Sequence, residues 1–300
     1  SLHDALPIWG RRGFTVVELM LSVAIMTVIV IGLYTVFDQT QRALRSTMTQ
    51  VDVLEGVRST TDLLVREMEA AVPVNLSQTN LTSFAAGAAV FAKPAEIRGL
   101  DPHGDPVMRT LLQDVFFVTR QNELWTAVGY WVGTVRTNNG VPSPPGAAGR
   151  LFRFSYSATG PVFATTNLYL RFANPVLRAE SSAPVMDGVI HFRVLAYDAD
   201  GKALVHTLQT NLAAGATAAW FVDPLRRDPP WRETGYWFNR TTTPRFPSAL
   251  EMELGILEPQ AAIRLNSIPV DSEAMKFLAR QADKIHLFRR RIPLRNAPPY

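Results

Sequence analysis

RRGFTVVELMLSVAIMTVIVIGLYTVF, residues 11–37, decides the fold of this 300-residue chain. A basic pair and a glycine lead into an uncharged run that is broken once, by Glu18. At a rise of about 1.5 Å per residue, a helix over residues 14–37 is about 35 Å long, enough to cross a bilayer. A carboxylate inside such a helix costs about 2.5 to 3.5 kcal/mol on insertion scales, so Glu18 marks a functional position and requires a partner. The apolar part of a secretory signal covers only about 7 to 15 residues and ends at small side chains, whereas Leu19 to Phe37 runs straight into more helix. Arg11 and Arg12 on the short side put the N-terminus in the cytoplasm by the positive-inside rule and the remainder across the membrane.

Beyond the apolar run, Leu44, Met48, Val51, Leu54, Val57, Thr61, Leu64, Met68 and Val72 recur at steps of three and four, which is one stripe of a helix. No proline stands between Phe14 and Ala71, and Pro73 ends the pattern. The spacing therefore predicts one continuous helix with a membrane half, residues 14–37, and a soluble half, residues 38–72. An apolar stripe on the soluble half must be covered, and a β-rich domain over residues 73–300 is the expected cover.

Gly13, Phe14 and Glu18 stand where the processing signal of type IV prepilins and type II secretion pseudopilins carries its glycine, phenylalanine and glutamate, and the segment resembles that signal. The resemblance implies a leader over residues 1–13, cleavage between Gly13 and Phe14 by a prepilin peptidase, and N-methylation of Phe14. It also implies that Glu18 pairs with the terminal amine of a neighbouring subunit during assembly, so that two buried charges neutralise each other. The fold implied is pilin-like and α+β, a long N-terminal helix packed on a largely antiparallel sheet. Many pilins carry a helix proline where this chain has Thr35. Within the family, the long helix, the large β-rich domain and the late segment PSALEMELGI look most like minor pseudopilin J of type II secretion. That likeness implies a tip complex with other minor and major pseudopilins, an inner-membrane assembly platform, and priming of a periplasmic filament for protein export. A minor pilin of a type IV pilus is the alternative, with a similar tip complex starting a fibre for adhesion, motility or DNA uptake, and a membrane-anchored periplasmic binding protein or enzyme is the third reading.

Strand-like segments are expected at Val107 to Thr119, Glu123 to Arg136, Arg150 to Ser157, Val162 to Phe172, Gly188 to Asp198 and Ala249 to Leu257. The D-x-D-G turn near Ala199 to Gly201 predicts a hairpin. Asn138 to Gly149, rich in Gly and Pro, reads as a loop. Asp223 to Pro247 holds five arginines and five aromatics. It reads either as a partner-binding loop, with Arg226, Arg227, Trp231, Tyr236 and Trp237 as contacts, or as a loop folded over its own domain. Asp271 is placed to cap a helix through Ala282, and KIHLFRRRIPL reads as a final strand whose Arg289, Arg290 and Arg291 are solvated.

The formal charge is +4, and removing Asp4, Arg11 and Arg12 with the leader leaves 28 basic and 25 acidic residues, or +3. A near-balanced chain carries no nucleic-acid signature. The absence of cysteine excludes disulfides, thiolate metal sites and cysteine nucleophiles. His3, His103, His191, His206 and His286 form no i, i+4 pair and no H-E-x-x-H. Asp101, His103 and Asp105 lie in a Gly- and Pro-containing turn, and the calcium-loop start at Asp198 and Asp200 lacks its glutamate, Gln209 standing there instead. Neither G-x-S-x-G nor a phosphate-cradling glycine loop occurs. No cofactor, no metal and no catalytic residue is assigned, and the chain is read as a non-enzyme.

Overall fold

The computed structural model describes residues 15–73, 84–88, 96–98, 107–134, 148–159, 168–204, 236–238 and 246–295. The chain divides into two compact units, Ser1–Leu54 and Glu55–Tyr300.

The expected long helix is present as α1, Val16–Glu69, without interruption. In the first unit most of its large apolar side chains are exposed, Leu44, Met48, Val51 and Leu54 among them, so the predicted stripe is buried from Val57 onward rather than from Leu44. In the second unit its last turns are amphipathic, and Val57, Thr61, Leu64 and Met68 are buried, as the three-and-four spacing requires.

The body of the second unit is an antiparallel sheet. Its strands are β1 (Phe84–Ala88), β4 (Gln113–Gln121), β5 (Leu124–Thr134), β6 (Gly149–Thr159), β7 (Ser182–Tyr197), β8 (Ala203–Leu204), β9 (Tyr236–Phe238), β10 (Ala249–Leu257) and β11 (Ile285–Pro293). Among the described residues their order is β11-β10-β7-β6-β5-β4-β1-β9, with β8 on β7, and β2 (Glu96–Arg98) pairs β3 (Val107–Arg109) separately. Successive residues along each strand point their side chains to opposite faces of the sheet. One face presents Tyr130 and Arg153, opposite each other in the β5–β6 register, to Glu67 of α1. The other face presents Phe116, Val118, Ala127 and Phe154 to Leu168 and Phe172, which lie on the short helix α2 (Leu168–Ala173). Helix α3 (Pro175–Glu180) follows, with Asn174 accepting from the Val176 and Leu177 N–H groups at its N-cap.

At the β10 end, α4 (Pro259–Ser267) and α5 (Asp271–Ala279) contribute Ala261, Ala262, Leu265, Ala274 and Leu278 to a core with Ile190, Leu257 and Ile285. Asn266 clamps Ala148 with both ends of its amide, accepting from Ala148 N–H and donating to its C=O, each at 3.1 Å. Gly188 takes a positive φ of 78° inside β7, where an added Cβ would meet the Leu257 carbonyl at 2.9 Å. This is the kind of position that only glycine fills without strain.

Five sequence expectations change. Residues 168–172, expected in a strand, form α2, because Leu168 and Phe172 at i, i+4 bury together on one helix face. The expected strand Val107 to Thr119 is two strands, β3 and β4, separated by Thr110–Leu112. Asp271 is the first residue of α5 rather than its cap; Val270 holds the N-cap position without a side-chain cap, and the helix ends at Ala279. Within Asp223–Pro247, Tyr236 and Trp237 belong to β9 rather than to a loop. Of the arginines expected to be solvated, Arg289 pairs with Glu251 at 2.6 Å and Arg291 lies 5.1 Å over the Tyr197 ring. By contrast, β10 matches its expected bounds, and the β7–β8 hairpin forms with Asp198 accepting from Lys202 and Gly201 carrying a positive φ.

Candidate assembly site

The site begins at the first turn of α1. Gly13 and Phe14 lie outside the described residues. Thr15 accepts the Glu18 N–H on its hydroxyl at 3.3 Å, while its carbonyl accepts the Leu19 N–H at 3.2 Å. Its hydroxyl also lies 3.5 Å from the Glu18 carboxylate. Thr-x-x-Glu at a helix start has the spacing of a capping box, which satisfies N–H groups that have no intrahelical partner. This signal is local and legible in TVVE, residues 15–18. Among the described residues Thr15 is the partner of the Glu18 side chain, which is otherwise exposed.

The helix that follows is long and apolar enough to cross a membrane over Val16–Arg45. Its hydroxyl groups turn inward along the backbone. Ser22 donates to the Leu19 carbonyl, Thr27 to Val23, Thr35 to Ile31 and Thr40 to Val36, at 2.7 to 2.9 Å. A hydroxyl satisfied by its own helix can face lipid, where water is unavailable. The ion pair Asp38–Arg42, at 2.6 Å one turn apart, marks the return of charge. Glu18 is therefore the only carboxylate between Val16 and Phe37.

Arg226, Arg227 and Trp231 lie outside the described residues. Tyr236 and Trp237 sit in β9, opposite Ala86 and Ala85 of β1. Phe238 and Phe246 meet edge to face at 5.1 Å, and both are buried. Part of the Arg- and aromatic-rich segment is thus folded onto its own sheet. Asp101, His103, Asp105, His3 and His206 lie outside the described residues, and Asp198 serves the hairpin turn.

Three polar centres inside the second unit left no local trace in the sequence. In the first, Glu67 accepts from Tyr130 and from the Arg153 guanidinium at 2.6 to 2.9 Å. Burial, and then the hydrogen bond to Glu67, push the Tyr130 phenol well above its ordinary range. In the second, Arg178 pairs with Asp114 at 2.6 Å and stacks 4.4 Å over Trp131, which itself stacks on Phe152 at 4.7 Å. Burial raises the Asp114 carboxyl above the usual carboxylate range, and Arg178 opposes this. Burial also pushes the neighbouring Tyr169 up to about 12, helped by the Asp114 charge.

In the third, Glu253 and His191 are both buried, with the His191 Nε2 3.3 Å from Glu253 and its Nδ1 accepting the Leu111 N–H at 2.9 Å. Arg193 adds a contact to Glu253 at 3.4 Å, and Arg289 reaches Glu251. The alternation in ALEMELGIL points Glu251 and Glu253 away from Leu250, Met252 and Leu254, which reads as a solvent face. Both glutamates are nevertheless buried beneath arginine partners. Among the described residues no group of three or more His, Cys, Asp or Glu is placed to hold a metal ion.

Residues 10–34 match a protein family described as the prokaryotic N-terminal methylation motif. No curated protein matches the chain, and no solved structure does.

Proposed function

We propose, from the premise that a chain opening with this methylation motif belongs to the type IV prepilin and pseudopilin family, that the protein is a minor pseudopilin of a type II secretion system. Its task in this reading is structural rather than catalytic. It joins the tip complex with other minor and major pseudopilins and primes a periplasmic filament at the inner-membrane assembly platform. The observation that carries the reading is a membrane-length helix whose apolar surface is interrupted by one carboxylate, Glu18, at its first turn.

Prepilin peptidase cuts between Gly13 and Phe14, removing a leader over residues 1–13, and Phe14 is then methylated. Residues 14–37 hold the protein in the bilayer as a single pass, with the N-terminus cytoplasmic and residues 73–300 periplasmic. Glu18 pairs with the terminal amine of the adjacent subunit. The Thr15 contact is long and engages one carboxylate oxygen only, so Glu18 keeps acceptor capacity for a charged neighbour. Arg226, Arg227, Trp231, Tyr236 and Trp237 are offered as contacts to another tip subunit.

Deletion of the gene in the native host tests the assignment. Exoprotein trapped in the periplasm with normal surface pili is expected. Lost pili with normal secretion would make the protein a type IV minor pilin instead, and neither defect would overturn both.

A further inference from the structure

The terminal strand β11 is the edge of the large sheet, and among the described residues its one hydrogen-bonded neighbour is β10. Its hydrogen-bonding phase is fixed at both ends. The Leu294 N–H donates to the Ser248 carbonyl at 2.9 Å and the Glu258 N–H to the Lys284 carbonyl at 3.1 Å. In the β10–β11 register these are even-numbered pairs of β11, so His286, Phe288, Arg290 and Ile292 exchange bonds with β10. On β7 the Phe192 and Val194 N–H groups point away from β10, to Leu111 and Gln113, which is the same phase seen from the other side. Leu287, Arg289 and Arg291 therefore turn their N–H and C=O groups outward. Pro293, which has no N–H to offer, falls on an outward position, where an edge strand tolerates it.

Natural edges are commonly blunted by charged side chains, and three arginines stand here. Two of them do not guard the edge. Arg289 lies back over β10 against Glu251, and Arg291 reaches across to the Tyr197 ring on β7. Both side chains lie over the sheet face, and among the described residues no strand pairs with the outer backbone. Arg290 is exposed on the opposite face. The edge thus offers three regularly spaced backbone donor and acceptor sets in a local field of positive charge.

We propose that β11 receives an extended acidic strand from another protein by β-augmentation. Main-chain bonds to Leu287, Arg289 and Arg291 would supply affinity, and carboxylates beside Arg290 would supply selectivity. A second copy of this chain is disfavoured where the arginine run would pair with itself. Antiparallel pairing of two β11 strands centred on Arg289 or Arg290 sets arginine against arginine, which is repulsive. The surface lies wholly within Glu55–Tyr300 and stands whether or not the protein works in secretion.

The test uses the full chain in detergent micelles and a short fluorescent peptide of alternating Val and Glu, with its Val and Lys counterpart as control. Binding of the Glu peptide is followed by anisotropy, and amide exchange is measured with and without it. The expected result is that the Leu287, Arg289 and Arg291 amides exchange fast in the free chain and become protected on binding. Leu287→Pro, which removes one outward donor, abolishes binding, and Arg290→Glu weakens it about fivefold or more while favouring the Lys peptide. Circular dichroism establishes that each variant is folded; should Leu287→Pro misfold, Arg290→Glu and the exchange data decide. Three results overturn the proposal: amides already protected in the free chain, no preference for the Glu peptide, or binding that ignores both substitutions. Self-association lost in Leu287→Pro would also overturn it, by assigning the edge to a second copy.

Discussion

Arg153 of β6 holds Glu67 of α1 through three contacts of 2.6 to 2.9 Å, and Tyr130 of β5 donates to the same carboxylate. The residues come from three elements and meet on one face of the sheet. The end of the long helix is thereby fixed to the strands by charge as well as by the packing of Leu64 and Met68. Arg153→Ala removes one partner of a largely buried pair and is expected to cost about 2 to 3 kcal/mol, since Glu67 keeps some access to water. Tyr130→Phe, which spares the ion pair, is expected to cost about 1 kcal/mol. Urea unfolding followed by tryptophan fluorescence measures both, and equal losses would contradict this division.

Gly129 faces α2 from β5, and a Cβ there would run into the Phe172 ring. Gly129→Val is expected to destabilise the second unit by about 1 to 3 kcal/mol, because Phe172 already packs against Phe116 and Phe154 at 5.5 Å and has little room to shift. A combined Gly129→Val, Phe172→Ala chain should lose less than the sum of the two single changes. Additive losses in thermal unfolding would show that the ring is not the obstacle.

Tyr169 is held protonated by its surroundings up to about 12, whereas an unfolded tyrosine titrates near 10. The folded state therefore binds the proton more tightly, and its contribution is complete below pH 10 and is lost as pH rises through 12. Stability should fall across that window, Tyr169 accounting for at most about 3 kcal/mol. Tyr169→Phe should flatten part of the decline in urea midpoints measured between pH 9 and 12. An unchanged slope would remove Tyr169 from the account.

Glu18→Ala leaves the cleavage position intact and removes the carboxylate from the apolar helix. Processing is expected to proceed normally while incorporation into filaments falls about tenfold or more, the scale set by leaving a buried amine unpaired. Cross-linking to other filament subunits in intact cells, scored against total membrane protein, provides the measure, and wild-type incorporation would refute charge pairing.

Gly13→Ala addresses the leader separately. Intact mass spectrometry should find the precursor mass retained, whereas a mature mass equal to wild type would place the cut elsewhere.

Some elements were legible because their signals are local. The apolar run and the three-and-four spacing into Met68 specify α1 with no reference to the rest of the chain. Strict alternation with turn residues on either side gives β10 its bounds, and D-A-D-G gives the β7–β8 turn. Residues 168–172 misled because Leu-Tyr-Leu-Arg-Phe suits either period over so short a length. What settles them is the space between Phe116 and Phe154 that Leu168 and Phe172 fill together. The candidate site divides in the same way. Glu18 announces itself as a lone charge in an apolar helix, while the pairing of Tyr236 and Trp237 in β9 with β1, far away in sequence, has no local signal.

The sequence alone determined a helix of membrane length, its single carboxylate and the processing motif in front of it, since composition and spacing within about two dozen residues suffice for each. Only the tertiary structure decided which charges are buried and which edge is open. Glu67 meets Arg153 across 86 positions, Glu253 meets His191 across 62, and among the described residues β11 stands at one edge of the sheet, beside β10. Pairings at such separations depend on how the strands are ordered, and strand order is a property of the whole packed core.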